Sequence, residues 1–389
     1  MIKFQFTGSA IEYFKIWIVN TLLTIVTFGI YYPWAKVRNN RYLYANSILD
    51  GKNFEYHATG KQLFIGYLIA ASMFILYNIL NSLFPILNIF FVLLFFIVLP
   101  WLMLKAMKFN LFVTSFNNIR FDFEGELKES YLVFLLLPFI GFIICTLPFI
   151  LLGFFRGSGI WFIIAFLFTI ALYILVFSYF NVVKNRFFID FTKYGKTNFD
   201  TTLDTPEFIK IVFKTVSLGL FSFLLSCIIV SALYYIFGDM EKFNFIISLF
   251  KSDPKNAMLM MFQLLSAFLV VFYIFFIFTS IIVYAYYNVK KREYLFANTT
   301  FDKKISFEST MKFLPYAYIL ITNFLLTIVT LGFAYPLAKV RVTRYTLENS
   351  IINIKKDDFS NYYSSNLSSQ SAIADQVSDV FDVGIGIPF

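Results

Sequence analysis

Two stretches of this 389-residue chain, residues 20–48 and 323–351, have nearly the same sequence. The first reads NTLLTIVTFGIYYPWAKVRNNRYLYANSI and the second reads NFLLTIVTLGFAYPLAKVRVTRYTLENSI. Nineteen of the 29 aligned positions are identical, at a constant offset of 303 and without a gap. Chance does not produce such a match, so we infer an internal duplication. The fold must therefore place the same unit twice, an apolar segment that runs into a basic tail.

The composition is that of an integral membrane protein. Hydrophobic residues make up 59% of the chain and charged residues only 14%, whereas a soluble domain is closer to half apolar and a quarter charged. Phenylalanine is the most extreme case, at 55 residues. We attribute this excess to codon bias and to lipid-facing surface rather than to an aromatic ligand site.

Six segments are long and apolar enough to span a bilayer, which takes about 20 residues. They form three predicted hairpin pairs, at 63–104, 131–181 and 211–287, and the third pair is joined by a longer polar stretch at 238–256. The duplicated segments 14–48 and 316–351 could add two more spans. We therefore predict an α-helical polytopic membrane protein with an internal duplication, six to eight membrane segments and short cytoplasmic β-hairpins. The predicted membrane domain covers residues 1–356.

The β-hairpins are predicted from a second, looser repeat. Basic stretches followed by alternating apolar and polar residues occur at 35–60, 104–125, 181–202 and 288–310, and a fifth basic stretch lies at 338–360. The first four contain turn dipeptides typical of tight hairpins, namely Asp50-Gly51, Asn117-Asn118, Tyr194-Gly195 and Asp302-Lys303. The opening KFQFTG resembles the last strand of the same unit without its first half.

The direction of the duplicated segments is left open by the sequence. The five basic stretches with their flanks hold 23 of the 32 Lys and Arg residues, which predicts that they face the cytoplasm. If both duplicates span the membrane, they point in opposite directions and form an inverted repeat, as in many secondary transporters. If both re-enter, every strand lies on one side. We favour the second arrangement, because isolated two-stranded hairpins are marginal and one shared sheet is more stable.

The duplicated motif supplies the candidate functional residues. Each copy has an asparagine at membrane depth, where lipid supplies no hydrogen-bonding partner. A glycine and a proline then break the apolar segment. Basic residues that suit a lipid head-group interface follow. Clustered Lys and Arg attract anionic lipid by about 1 kcal/mol per charge. The candidate interface residues are Gly29, Pro33, Lys36, Arg38, Arg41, Gly332, Pro336, Lys339, Arg341 and Arg344, and the candidate intramembrane polar residues are Asn20 and Asn323.

The sequence contains no pattern that predicts catalysis. There is one histidine, His57, and the two cysteines, Cys145 and Cys227, both lie in apolar runs. We expect no enzymatic activity, no cofactor and no metal site. The net charge of +9 is spread over membrane-flanking loops, so we also expect no nucleic-acid partner. The acidic tail, residues 357–389, is predicted to be largely disordered with a short amphipathic helix.

The chain resembles the YjgN-like family of bacterial inner-membrane proteins. The resemblance rests on FTGSAIEYFKIWIVNTLLTIVTFGIYYPWA (6–35), RYLYAN (41–46), SFNNIRFDF (115–123), GFAYPLAKV (332–340) and the ending GIGIPF (384–389). It implies multi-pass residence in the bacterial inner membrane and no particular activity. We expect a non-enzymatic scaffold that binds membrane lipid, with anionic lipid as the candidate, or a protein partner. The alternative is a secondary transporter or channel with an inverted repeat.

Overall fold

The computed structural model describes residues 1–154, 159–238 and 240–354. The predicted acidic tail, 357–389, lies outside the described residues. The described chain forms two compact units, one made of residues 1–209, 291–311 and 323–354 and the other of residues 210–290 and 312–322. The helices are α1 (Ala10–Val26), α2 (Tyr32–Ala45), α3 (Gly60–Leu83), α4 (Asn88–Phe112), α5 (Leu127–Tyr131), α6 (Leu137–Phe154), α7 (Gly159–Asp190), α8 (Thr205–Phe237), α9 (Met240–Leu249), α10 (Pro254–Ala297), α11 (Phe313–Val329) and α12 (Tyr335–Glu348).

Six of the described helical segments are long and apolar enough to cross a membrane. They are Gly60–Leu83, Asn88–Phe112, Leu127–Leu152, Gly159–Asp190, Thr205–Ile236 and Phe268–Ala297. Each overlaps one of the six predicted spans. The prediction of a polar connection at 238–256 was incomplete, because ten of its residues form helix α9. Its apolar side chains alternate with polar ones at helical spacing, which favours a helix over an extended loop.

Ten short strands close into a single antiparallel barrel. They are β1 (Ile2–Phe6), β2 (Ser47–Leu49), β3 (Lys52–Tyr56), β4 (Thr114–Phe116), β5 (Ile119–Phe123), β6 (Thr192–Tyr194), β7 (Thr197–Thr201), β8 (Thr299–Phe301), β9 (Ile305–Ser309) and β10 (Ser350–Asn353). The strands pair in the order β1-β10-β9-β8-β7-β6-β5-β4-β3-β2. The fold class stated from the sequence lacked this barrel. Closure leaves none of the ten strands with a free edge, which separate hairpins would have exposed.

The four hairpins turn where the sequence predicts. In three turns both central residues have positive φ angles between +50° and +75°, as type I′ turns require, and in the turn after β6 Gly195 has a φ of +64°. The one shift concerns Tyr194-Gly195, because Tyr194 is the last residue of β6 and the turn begins at Gly195. Local turn chemistry therefore places the hairpins.

The first and last strands form the fifth strand pair of the barrel. β1 pairs with β10 in antiparallel register, with Ile2 opposite Ile352 and Lys3 opposite Ile351. On its other side β1 pairs with β2, where Phe4 lies opposite Leu49. KFQFTG is thus the second half of a unit whose first half, β10, lies at the other end of the described chain.

The five helices that lead into a strand pair end in the same way. A Ser or Thr at the helix–strand junction donates its hydroxyl proton to the carbonyl oxygen four residues earlier, at 2.6 to 2.9 Å. These residues are Ser47, Thr114, Thr192, Thr299 and Ser350. Such bonds satisfy carbonyl groups that a helix C-terminus leaves without a partner. They fix the point at which each helix gives way to a strand.

Both duplicated segments fold as helical hairpins. α1 follows β1 and α2 leads back into β2, so the first hairpin leaves the barrel and returns to it. In the same way, α11 follows β9 and α12 leads back into β10. This is the arrangement expected if each segment returns to the side from which it leaves. Two spans of opposite direction would have placed β10 on the other side of the membrane from β1.

Candidate functional site

The turn of each duplicated hairpin has an unusual backbone. Phe28 and Gly29 have φ angles of +50° and +91°, and Leu331 and Gly332 have +50° and +93°. A glycine adopts this left-handed conformation without cost, whereas a bulky side chain adopts it at a cost of about 1–2 kcal/mol. The sequence prediction singled out the two glycines. It missed Phe28 and Leu331, for which neither composition nor periodicity gives a signal.

Hydrogen bonds hold this turn in the same way in both copies. The Gly29 amide donates to the Thr24 carbonyl at 2.7 Å, and the Gly332 amide donates to the Thr327 carbonyl at 2.7 Å. This bond, from an amide to the carbonyl five residues back, is the one that ends a helix in a Schellman motif. Pro33 and Pro336 then stand in the first turn of α2 and α12, where proline is favoured. Both prolines are buried.

A buried asparagine joins the two helices of the first hairpin. Asn20 is 1% exposed, and its Nδ2 donates to the Asn39 Oδ1 at 2.9 Å and to the Ala35 carbonyl at 3.4 Å. Its Oδ1 accepts a hydrogen bond from Arg38 Nη1 at 3.2 Å. Because a buried amide without partners is costly, these bonds stabilise the closed hairpin.

The second hairpin repeats this link. Asn323 Nδ2 donates to the Ala338 carbonyl at 3.2 Å, and Arg341 Nη1 donates to Asn323 Oδ1 at 2.7 Å. The contact made by Asn39 is absent from this copy, because its counterpart is Val342. The structure therefore brings Asn20 together with Arg38, and Asn323 together with Arg341.

Arg41 and Arg344 contact the linkers between strands and helices. Arg41 Nη2 donates to the Ala58 carbonyl at 2.9 Å, behind β3, and Arg344 Nη2 donates to the Gly8 carbonyl at 2.8 Å, behind β1. Arg186, on α7, makes the corresponding bond to the Leu203 carbonyl behind β7. Each guanidinium group connects the helix that enters a strand pair to the linker that leaves the same pair.

The two lysines of the motif differ in environment. Lys36 is half-buried, and this burial lowers the pKa of its ammonium group from the usual value. Lys339 is exposed. The four arginines among the candidate interface residues donate hydrogen bonds to a buried asparagine or to a linker carbonyl. The two lysines make neither contact. They are the cations that remain for a ligand.

The hairpin turns expose large apolar side chains. Phe28 is 96% exposed and Leu331 is 89% exposed. The last turns of the preceding helices continue this surface with Val26 and Val329, at 73% and 79%. An apolar patch of this kind marks a surface that contacts a membrane or another protein.

A cluster around the only histidine was not predicted. His57 Nε2 lies 2.7 Å from Ser115 Oγ and 3.3 Å from Glu55 Oε2, and Ser115 Oγ donates to Glu55 Oε2 at 3.3 Å. The pairing of β3 with β4 places Glu55 opposite Ser115. A Ser-His-acid relay uses both ring nitrogens, one for the nucleophile and one for the acid. Here the same nitrogen contacts both groups, so this cluster lacks relay geometry.

Burial lowers the pKa of His57 below the usual 6.5, and the nearby Arg120 adds to this effect. The Glu55 carboxylate opposes the shift to a smaller extent. Among the described residues, no group of three or more His, Cys, Asp and Glu side chains has the spacing to hold a metal ion.

Comparison with known proteins gives similar proteins, two of which match along most of this chain. The inner membrane protein YjgN of Escherichia coli O157:H7 is 27% identical over 366 residues, which cover 92% of this chain and 89% of that protein. YjgN of Escherichia coli K12 is also 27% identical, over 368 residues and the same shares of each chain. YjgN of Salmonella typhimurium LT2 is 36% identical over 137 residues, 34% of each chain. No solved structure matches this chain.

These relatives and the six apolar helices identify a multi-pass protein of the bacterial inner membrane. The family model described as "Bacterial protein of unknown function (DUF898)" matches residues 1–380. The chain therefore belongs to this family of YjgN-like bacterial inner-membrane proteins.

Proposed function

We propose that this protein is a non-enzymatic membrane scaffold that binds anionic lipid at its two duplicated hairpins. The observation that carries the proposal is the pairing of an exposed apolar turn with a lysine on the following helix, in both copies. Phe28 is followed by Lys36, and Leu331 is followed by Lys339, at the same spacing of eight residues.

The apolar turns favour insertion into lipid. Burying a side chain the size of Leu or Phe yields about 1.5–3 kcal/mol relative to exposure to water. The left-handed backbone of Phe28 and Leu331 is strained, and strain of this kind is kept where a function depends on it. Each hairpin would dip its turn into the cytoplasmic leaflet and return to the barrel.

The lysines favour anionic head groups. The helices that start at Tyr32 and Tyr335 rise about 1.5 Å per residue, so each lysine lies only a few ångströms along its helix from the apolar turn. This distance suits a head group above inserted acyl chains. An anionic phosphate beside half-buried Lys36 would also offset the desolvation that lowers its pKa.

The alternative of a transporter or channel predicts that Asn20 and Asn323 line a wet pathway. Their amide groups are instead occupied by Ala35, Arg38, Ala338 and Arg341 within the same hairpins. These contacts support a scaffold role for the asparagines.

The test compares two double variants with equal loss of charge. Lys36→Gln with Lys339→Gln is expected to reduce the phosphatidylglycerol that co-purifies in nanodiscs of mixed phosphatidylglycerol and phosphatidylcholine, measured by lipid mass spectrometry. At about 1 kcal/mol per charge, each site should lose about fivefold in lipid affinity. The control is Lys251→Gln with Lys255→Gln, in the connection after α9 and the first turn of α10, which should leave the lipid ratio unchanged. Equal lipid ratios in both variants would overturn the proposal.

A further inference from the structure

The lumen of the barrel contains an apolar cavity of about 270 Å³. Every strand contributes to its wall, which is formed by Phe4, Leu49, Phe54, Phe116, Phe121, Tyr194, Phe199, Phe301, Ile305, Phe307 and Ile352. The one polar group among these side chains is the Tyr194 hydroxyl, and it donates a 2.9 Å hydrogen bond to the Phe116 carbonyl. The lumen of the barrel therefore offers apolar contacts alone.

Ten of the eleven wall residues form two sets of five, here called rings, and the eleventh is Ile305 on β9. The first, third, fifth, seventh and ninth strands each place one phenylalanine in the lumen, at Phe4, Phe54, Phe121, Phe199 and Phe307. The even-numbered strands contribute the second ring, with Leu49, Phe116, Tyr194, Phe301 and Ile352. The next residue after each of the five phenylalanines is Gln, Glu or Asp, which the strand alternation turns to the outer face.

A barrel of this size has room for a ligand. Barrels of about eight strands have an interior that side chains can just fill or that holds one small ligand, and the diameter grows with strand number. This barrel has ten strands. All five phenylalanines of the first ring remain partly accessible. These bulky side chains therefore leave part of the lumen unfilled.

Water is a poor occupant of this lumen. A buried water molecule needs two to four polar partners, and an engineered apolar cavity of about 150 Å³ stays dry and binds benzene. The lumen is larger than that cavity and just below the range of about 300–1,000 Å³ typical of small-molecule sites. It is too small for a whole phospholipid and large enough for part of one apolar chain.

We propose that the barrel lumen binds the end of a single acyl chain, supplied by a free fatty acid or by a membrane lipid. Acyl chains are the apolar molecules that a membrane provides in excess, and the strands of this barrel are connected to membrane-spanning helices. Apolar side chains from all ten strands surround the lumen, which suits the end of a linear apolar chain. This inference depends on the lumen and not on the lysines of the proposed function.

The experiment uses photoreactive lipids and the whole protein in nanodiscs. One probe is a fatty acid with a diazirine near its methyl end, and a second carries the diazirine near the carboxyl group. A third is phosphatidylglycerol with the diazirine near the end of one chain. After irradiation, mass spectrometry of peptides locates the label. We expect the chain-end probes to label the strands that line the lumen, and the carboxyl-end probe to label them at least about tenfold less.

A matched pair of variants tests occupancy of the lumen. Leu49→Trp with Ile305→Trp adds bulk inside the barrel, and Asn53→Trp with Asn198→Trp adds the same side chains at exposed outer positions. Labelling of the strands should fall at least about tenfold in the first variant and stay unchanged in the second. Strand labelling by the fatty acid alone, or by the phospholipid alone, supports the site and identifies the source of the chain.

Three results would overturn the inference. They are labelling confined to the spanning helices, equal strand labelling by the methyl-end and carboxyl-end probes, and strand labelling unchanged by lumen-filling tryptophans. The comparison of probes uses only the unsubstituted protein. It therefore tests binding in the lumen even if the Leu49→Trp, Ile305→Trp variant does not fold. Lys36→Gln with Lys339→Gln should keep full labelling of the lumen, which separates this inference from the proposed lipid-binding function.

Discussion

The Arg344 guanidinium donates a 2.8 Å hydrogen bond to the Gly8 carbonyl, across 336 positions of sequence. It connects helix α12 to the linker between β1 and α1, beside the strand pair that joins the two ends of the described chain. The first copy of the motif uses Arg41 in the same way on Ala58. These two arginines therefore stabilise the closed barrel.

Replacement of Arg344 should destabilise the barrel. Arg344→Gln removes a hydrogen bond from a charged donor, which is expected to cost about 1–2 kcal/mol because the side chain is partly open to solvent. A thermal unfolding midpoint measured in detergent should fall accordingly. The control is Lys339→Gln on the same helix, which should leave the midpoint within error. An unchanged midpoint in Arg344→Gln would refute the stabilising role.

The buried asparagines should matter for stability through their arginine partners. Asn20→Leu and Asn323→Leu each leave a guanidinium without its amide acceptor, at an expected cost of about 1–3 kcal/mol in the free energy of unfolding. Asn39→Val is the matched control, because Val342 occupies this position in the second copy. We expect it to cost less than either leucine variant. If Asn39→Val proved the most harmful, the amide–arginine link would not be the main contact.

Glycine in place of Phe28 or Leu331 should increase stability and decrease membrane insertion of the hairpin turns. Phe28→Gly and Leu331→Gly relieve a left-handed backbone, so each should raise the free energy of unfolding in detergent by up to about 1 kcal/mol. Each also removes the exposed apolar side chain. Doxyl-labelled lipids should quench a fluorophore at position 25 or 328 less strongly in these variants than in the parent protein. Unchanged quenching would show that the turns lie outside the membrane.

The barrel and the connection before α10 should lie on opposite sides of the membrane. Basic residues predict that the barrel faces the cytoplasm. In a Cys145→Ser, Cys227→Ser background, Asn53→Cys and Lys196→Cys should resist an impermeant maleimide in intact cells, and Ser252→Cys should react. All three should react after the cells are permeabilised. Labelling of Asn53→Cys in intact cells would place the barrel outside.

Acid should weaken the cluster around His57. Because burial lowers its pKa from 6.5, the unfolded chain binds a proton more readily than the folded protein. The contribution of His57 to stability is therefore complete above pH 6.5 and is lost as the pH falls from 6.5 through the lower folded-state pKa. The gap in unfolding midpoint between the parent and His57→Gln should shrink between pH 8 and pH 5.5. A gap that stays constant across this range would contradict the shift.

The sequence by itself determined the local elements. Apolar runs of sufficient length predicted six helices that can span a membrane, and the turn dipeptides predicted hairpins at Asp50-Gly51, Asn117-Asn118 and Asp302-Lys303. These features depend on neighbours in sequence, on length, alternation and the residues that accept a positive φ. The glycine and proline of each duplicated segment likewise predicted a break at Gly29 and Gly332.

Only the tertiary structure decided how these elements close. The pairing of Ile2 with Ile352 turns separate hairpins into a barrel, and this closure makes both duplicated segments leave and return on one side. Seven of the 55 phenylalanines line the barrel lumen, although the phenylalanine content alone indicated a lipid-facing surface. The physical reason is that the backbone N–H and C=O groups of β1 are satisfied by a strand some 350 residues away in sequence. No local pattern in either strand predicts which strand will be its partner.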